Sequence, residues 1–225
     1  MNKILSNYGE IIKQIDFYKN KFAQKYDTPQ LIAVSKRFSK DKIQVLVDSG
    51  HKIFGENKVQ EAQLKWLDLK NKNTEKNLEL HLIGPLQSNK VNLALDVFDV
   101  IQTLDREKIG LKIKKYLDEK NISNSKRFLI QVNIGEEKQK NGLEIGLTKQ
   151  FFEWCSKDLK LNIIGLMCIP PINEVPEPFF KRLRNLCNEL GLKHASMGMT
   201  SDFKSAIQNG ATFIRIGTGI FGPRD

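Results

Sequence analysis

Apolar residues recur at helical spacing over roughly the first 25 positions: Ile4, Leu5, Tyr8, Ile11, Ile12, Ile15, Tyr18 and Phe22 share one face of an amphipathic helix. Beyond them the pattern switches repeatedly between short apolar runs and helical spacing. LIAVS (31–35), HKIFG (51–55), LELHLIG (78–84), VFDVIQTLD (97–105), RFLIQVNI (127–134), LNIIGLMCI (161–169), HASM (194–197) and TFIRIG (212–217) read as strands. Helices are expected over 41–49, 59–69, from Ser88, and over 106–118, 148–156, 176–190 and 202–208. Gly50, Gly191 and Gly210 stand where three of these helices should stop.

Strands separated by helices imply parallel pairing through right-handed crossovers. Eight such units in about 200 residues fit a (β/α)8 TIM barrel, an α/β fold. The last strand leaves no room for a long helix after it, so the N-terminal helix is expected to fill that place in the outer ring. Segments 71–77 and 135–142 are polar and read as loops. No linker or low-complexity stretch divides the chain, so 1–225 is expected to form one barrel domain with 1–26 as a helix packed on it.

Composition changes this picture little. Hydrophobic residues make up 40% and charged residues 28%, values ordinary for a globular protein. No apolar run approaches the roughly 18–20 residues of a membrane span, and the first residues lack the apolar core of a signal peptide, so a cytoplasmic protein is expected. The net charge of +10 raises the question of nucleic acid. However, the lysines are spread along the chain without a basic block interleaved with aromatics, so no specific nucleic-acid partner is expected. Cys155, Cys168 and Cys187 are too scattered for a disulfide framework, and His51, His81 and His194 make no metal-ligand spacing.

In a parallel barrel, chemistry gathers at the C-terminal ends of the strands. Those ends carry Ser35-Lys36, Gly55-Glu56-Asn57, Gly84, Thr103 to Asp105, Asn133, Met167-Cys168, Ser196-Met197 and Arg215 to Gly217. After the last two strands come Ser196, Gly198, Thr200 and Ser201, then Gly217, Thr218 and Gly219. Such small, hydroxyl-bearing ends suit a phosphate. The formal GxGxxG over 217–222 is no dinucleotide fingerprint, because no helix, further strand and acidic residue follow it. Lys36 leaves an apolar strand, where desolvation should favour a neutral amine able to capture an aldehyde. Arg215, inside TFIRIG, is costly unless paired or hydrogen-bonded, and can present a donor to a ring nitrogen. A phosphate cup, a ring-nitrogen partner and an aldehyde-reactive lysine together describe a site for pyridoxal 5′-phosphate.

With these residues in view, the chain resembles the pyridoxal phosphate homeostasis proteins, stand-alone relatives of the alanine racemase barrel. The likeness runs through LIAVSK, FGENKVQEA, HLIGPLQSNK, LIQVNIGEEKQKNGL, IIGLMCIPP, SMGMTSDFKSAI and IRIGTGIFG. It implies a Schiff base on Lys36, Arg215 against the pyridine nitrogen, phosphate on Gly217 and Thr218 with Thr200 and Ser201, and Asn57 lining the ring. Ser196 and Met199 are further candidates. Thr200 stands where the family usually has serine, Gly219 where alanine is common, and Arg37 where threonine is frequent; none of these removes a binding group.

The resemblance implies a protein of vitamin B6 and amino-acid homeostasis without an enzyme activity. Its expected partners are pyridoxal phosphate and PLP-dependent apo-enzymes, with no membrane partner and a monomeric state. The alternative is a small amino-acid racemase, which needs two bases. Lys36 can supply one, and Cys168 is the side chain near a strand end that could substitute for the other. Tyr8, Tyr18, Tyr26 and Tyr116 all fall on expected helices.

Overall fold

The computed structural model describes residues 2–22, 28–122 and 125–223. Eight strands, β1 (Gln30–Val34), β2 (Ile53–Glu56), β3 (Glu79–Leu82), β4 (Val100–Leu104), β5 (Arg127–Val132), β6 (Ile163–Cys168), β7 (His194–Ser196) and β8 (Phe213–Ile216), pair in parallel and in sequence order. β1 pairs with β8, with Ile32 opposite Arg215, and this closes the (β/α)8 barrel. Around it run α1 (Lys3–Lys21), α2 (Lys40–Asp48), α3 (Val59–Lys72), α4 (Val91–Val97), α5 (Glu107–Lys120), α6 (Thr148–Glu153), α7 (Glu177–Glu189), α8 (Phe203–Gln208) and α9 (Thr218–Phe221).

Two-residue alternation along the strands sorts the side chains into two cores. Ile32, Val100, Leu129, Met167 and Phe213 meet in the lumen, while Ala33, Phe54, Leu80, Leu82, Ile101, Phe128, Ile130, Leu166, Ile214 and Ile216 pack outward against the helices. The same alternation turns Glu79, His81, Gln102, Ser196 and Arg215 inward.

The helices follow the expected positions with three local differences. Val97 ends α4 instead of opening β4, because Val91, Ala94, Leu95 and Val97 form one buried helical stripe. α6 continues as a π-helical turn over Trp154–Asp158. α9, which the periodicity does not announce, forms at once after β8 because Ile220 and Phe221 must be buried; Phe221 stacks on Phe38 at 4.7 Å. Residues 23–26 of the expected N-terminal helix lie outside the described residues, as does Tyr26.

α1 occupies the gap left in the outer ring. Asn2 caps it by accepting from the Ile4 amide, and Ile4, Ile11 and Ile15 face inward. Asn7 Nδ2 donates to the Ile220 carbonyl at 3.0 Å, and Tyr18 packs edge-on against Phe203, so α1 touches both α9 and α8. On its other side, Tyr8 Oη lies 3.3 Å from His51 Nδ1, whose ring donates from Nε2 to the Ile53 carbonyl at 2.8 Å. His51 thereby staples α1 to the start of β2.

Burial pulls the His51 pKa down to about 4, offset only in part by its bond to Ile53. A histidine whose folded pKa lies below its ordinary value gives stability that is lost as pH falls from about 6.5 to about 4, here about 3 kcal/mol. Urea denaturation of wild type and His51→Gln over that interval is expected to show the wild type losing its advantage by about this amount. A stability difference independent of pH would show that His51 is not held neutral by the fold.

Candidate functional site

The strand ends on the C-terminal side of the barrel surround one cavity of about 390 Å³. Of the sequence-predicted residues, Lys36, Asn57, Met199, Thr200, Ser201, Arg215, Gly217 and Thr218 all line it, and Val34, Ile83 and Ile169 complete its wall. Ser196 does not line it. It lies beneath the cavity floor, fully buried, where its Oγ accepts from Arg215 Nη1 at 2.7 Å and donates to Gln102 Oε1 at 2.6 Å. The apolar wall residues were not singled out in the sequence, since an isolated Val or Ile after a strand looks like any core residue.

Lys36 follows β1 on a tight turn. Arg37 takes a left-handed backbone with φ 66°, and its amide donates to Glu61 Oε1 at 2.5 Å. Lys65 of α3 reaches under this turn and donates to the Ser35 carbonyl at 3.0 Å and to the Phe38 carbonyl at 3.4 Å. The same ammonium pairs with Glu56 at 2.7 Å and Glu61 at 2.9 Å. Glu56 is fully buried and also accepts from Ser35 Oγ at 2.7 Å and Trp66 Nε1 at 3.1 Å. Burial pushes the Glu56 carboxyl up, with Lys65, Ser35 and Trp66 opposing that shift. The lysine is thus carried on a turn clamped from β2 and α3. Glu56 stands among the strand-end residues of the sequence without a role assigned to it, and Lys65, inside a helix, is a structural partner that a reading of strand ends does not pick out.

Asn57 is set by a close crossing of two strand ends. A Cβ on Gly84 would come within 2.3 Å of the Asn57 carbonyl oxygen, so only glycine lets the β3 end pass under the β2 end. On the opposite rim, Gly198 has φ 89°, and a Cβ there would press on Ala206 at 2.5 Å. Its carbonyl accepts from the Arg215 amide at 2.9 Å, and Asp202 Oδ1 accepts from the Met199 amide at 2.6 Å. The loop carrying Met199, Thr200 and Ser201 is therefore folded back over the end of β8. Thr218 Oγ1 stands 3.4 Å from Thr200 Oγ1, joining the two hydroxyl-bearing loops.

Arg215 enters from β8 with only 4% of its surface exposed. Besides Ser196, it donates from Nη2 to the Cys168 carbonyl at 2.8 Å. Burial lowers its pKa, opposed by Cys168 and Asp202. Cys168 itself is fully buried, and burial pushes its thiol up to about 12. Tyr8 and Tyr18 sit on α1, and Tyr116 on α5 bonds to Asp96, all away from the cavity lining.

A comparison with protein families matches residues 11–225 to the family described as "Alanine racemase, N-terminal domain". The chain is 40% identical over 204 residues to the pyridoxal phosphate homeostasis protein of Aquifex aeolicus, covering 87% of each chain. To the protein of that name from Vibrio cholerae it is 37% identical, covering 100% of this chain and 98% of the other. Among solved structures it is similar to PipY of Synechococcus elongatus with PLP bound, with a TM-score of 0.78 and 31% identity, covering 91% of this chain and 100% of that one.

The clamp beneath Lys36 has a testable cost. Lys65→Met leaves the Glu56 carboxylate buried without its cation, and removing one partner of such a pair costs about 3 kcal/mol or more. Denaturant unfolding is expected to show that loss at neutral pH and a smaller one in acid, where Glu56 is neutral. Backbone amide exchange should quicken over 35–38. Unchanged exchange there would show that the turn holds without Lys65.

Proposed function

Because the chain belongs to the alanine racemase N-terminal domain family, we propose that it binds pyridoxal 5′-phosphate and serves in intracellular homeostasis of that cofactor and of amino acids. The observation that carries this reading is a single cavity lined by Lys36, Arg215 and two hydroxyl-bearing loops. Bound pyridoxal phosphate supplies an aldehyde for amines and an electron-withdrawing ring.

The residues fit that group. Lys36 would hold the aldehyde through its amine, on a turn that Lys65 and Glu61 keep in place. Arg215 reaches the cavity from its floor and presents a guanidinium, which can only donate, to the ring nitrogen. Thr200, Ser201 and Thr218 offer hydroxyls to the phosphate, with the backbone N–H groups at the start of α9 that a helix leaves without internal acceptors. A methyl on Gly219 would come 3.1 Å from Thr200 Cγ2 and 3.0 Å from Ile216 Cγ2, so the cradle is tightly packed there and an alanine would need its neighbours to shift by a few tenths of an ångström. Asn57 and Met199 line the cavity and would flank the ring, with Ile83 and Ile169 as the apolar wall. Ser196 serves the site through Arg215.

Two arguments favour a binder over a racemase. Cys168, the one candidate for a second base, keeps its proton at neutral pH because burial pushes its thiol up to about 12. A donor on the ring nitrogen also disfavours a protonated ring and so weakens it as an electron sink. The relatives are named homeostasis proteins, in keeping with that reading. In this role the protein acts as a cytoplasmic carrier or buffer, with PLP-dependent apo-enzymes as recipients. Among the described residues, no helix is long and apolar enough to cross a membrane.

Titration of the purified protein with pyridoxal phosphate is expected to produce the visible absorption band of a lysine-bound aldehyde in wild type and none in Lys36→Ala. Borohydride reduction followed by mass spectrometry should place the adduct on Lys36. A wild type that gives no band, or a Lys36→Ala variant that retains it, would sink the assignment.

A further inference from the structure

Arg215 is joined to the far end of the barrel by an unbroken run of hydrogen bonds. Its Nη1 donates to Ser196 Oγ at 2.7 Å, and Ser196 Oγ donates to Gln102 Oε1 at 2.6 Å. Gln102 Nε2 donates to His81 Nδ1 at 2.7 Å, and His81 Nε2 donates to Glu79 Oε1 at 2.5 Å. Arg127 Nη2 closes the run on Glu79 Oε2 at 2.6 Å. Ser196, Gln102 and His81 are fully buried. Glu79 and Arg127 open β3 and β5, at the end of the barrel opposite the cavity.

Every donor from Arg215 to His81 points towards Glu79, and the chemistry of the groups requires it. A guanidinium can only donate, so Ser196 Oγ must accept, and its single proton goes on to Gln102. The Gln102 carbonyl is then spent on Ser196, which turns its amide toward His81. Nδ1 must accept, so the ring carries its proton on Nε2, where Glu79 takes it. A proton on Nδ1 would set two donors face to face at Gln102. The charged groups that face His81 are Glu79 and Arg127, with Asp99 further off, and burial keeps the ring neutral against the pull of Glu79. The Glu79 carboxyl, although raised by burial, is brought down to about 2 by His81 and Arg127, so the run ends on a full negative charge.

We propose that Gln102 and His81 are positioning residues for Arg215, and that this run fixes the guanidinium at the cavity from a carboxylate seated at the opposite end of the barrel. The proposal rests on the cofactor reading only for what Arg215 meets in the cavity.

Ligand-free protein labelled with 15N-histidine and 15N-arginine tests it. His81 is expected to show a neutral Nε2–H ring that takes up a second proton only at lower pH than an ordinary imidazole does. Arg215 should show slowly exchanging guanidinium protons. Gln102→Leu is expected to speed that exchange about tenfold, the weight of the one hydrogen bond that Ser196 loses. Gln102→Glu keeps the acceptor for Ser196 and should leave Arg215 exchange within about threefold of wild type, while its second oxygen draws a proton onto His81 Nδ1. Should Gln102→Leu not fold, Ser196→Ala cuts the run beside Arg215 and is expected to give the same acceleration.

A wild-type His81 that is protonated on Nδ1, or that titrates like a surface histidine, overturns the proposal. Arg215 exchange that is unchanged by both cutting variants overturns it as well. A parallel titration with pyridoxal phosphate judges the ligand separately, with Gln102→Leu expected to bind at least about tenfold more weakly. If wild type binds none while the ligand-free results hold, the run stands and the cofactor reading falls.

Discussion

A guanidinium taken out of water must find acceptors within the protein, or its burial costs several kcal/mol. Arg215 stands on β8 inside a closed barrel, bonded to a hydroxyl and a backbone carbonyl instead of a carboxylate. That choice dictates much of the lumen. Ser196 must accept from Arg215, so it must pass its proton on. Gln102 is needed to receive it, and His81 to receive from Gln102. Around these groups the lumen is apolar, with Ile32, Val100, Leu129, Met167 and Phe213 filling the space, and the His81 ring packs edge-on against Phe213 at 5.4 Å. A polar residue placed singly in such surroundings would be a liability; joined in sequence, each satisfies the next.

The cavity above this lumen is shaped by backbone more than by side chains. The Arg37 turn, the folded-back loop at Gly198 and the crossing at Gly84 each need a conformation or an approach that most residues do not permit. Each is then held by a specific partner: Lys65 under the turn, Asp202 on the Met199 amide, and Thr103 Oγ1 on the Gly84 carbonyl. α1 contributes from outside by supporting α9 through Asn7 and Ile11, so the N-terminal helix bears on the same rim that carries Gly217 and Thr218.

Much of this was legible in the chain. Strand and helix alternate with clear periods, so the barrel and the place of α1 in its outer ring follow from the pattern of apolar residues. The strand-end rule collected Lys36, Asn57, Arg215 and the Ser/Thr/Gly segments, which the fold brings to one cavity. What stayed hidden depends on distance in sequence. Ser196 and Gln102 lie 94 residues apart, and Lys65 and Ser35 lie 30 apart. No local pattern links them. Ser196 was grouped with the phosphate loop because it ends a strand, but the two-residue alternation that buries Arg215 also turns Ser196 inward. α9 was missed because four residues are too few to show a helical period.

Proton accounting bears on what such a site is built to do. Amino-acid chemistry on an aldehyde-bearing ring needs groups that gain and lose protons near neutral pH. Among the residues that line the cavity, Lys36 and Arg215 are the ones with a charged side chain. Ser196 has its proton committed to Gln102, His81 has its own committed to Glu79, and the Cys168 thiol is pushed up to about 12 by burial. Each of these groups is fixed in one protonation state by a neighbour or by the absence of water. Fixed protons serve orientation and retention of a ligand, while turnover asks for mobile ones. The fixed protons of the lumen beneath Lys36 and Arg215 therefore support the proposed binding role over a racemase.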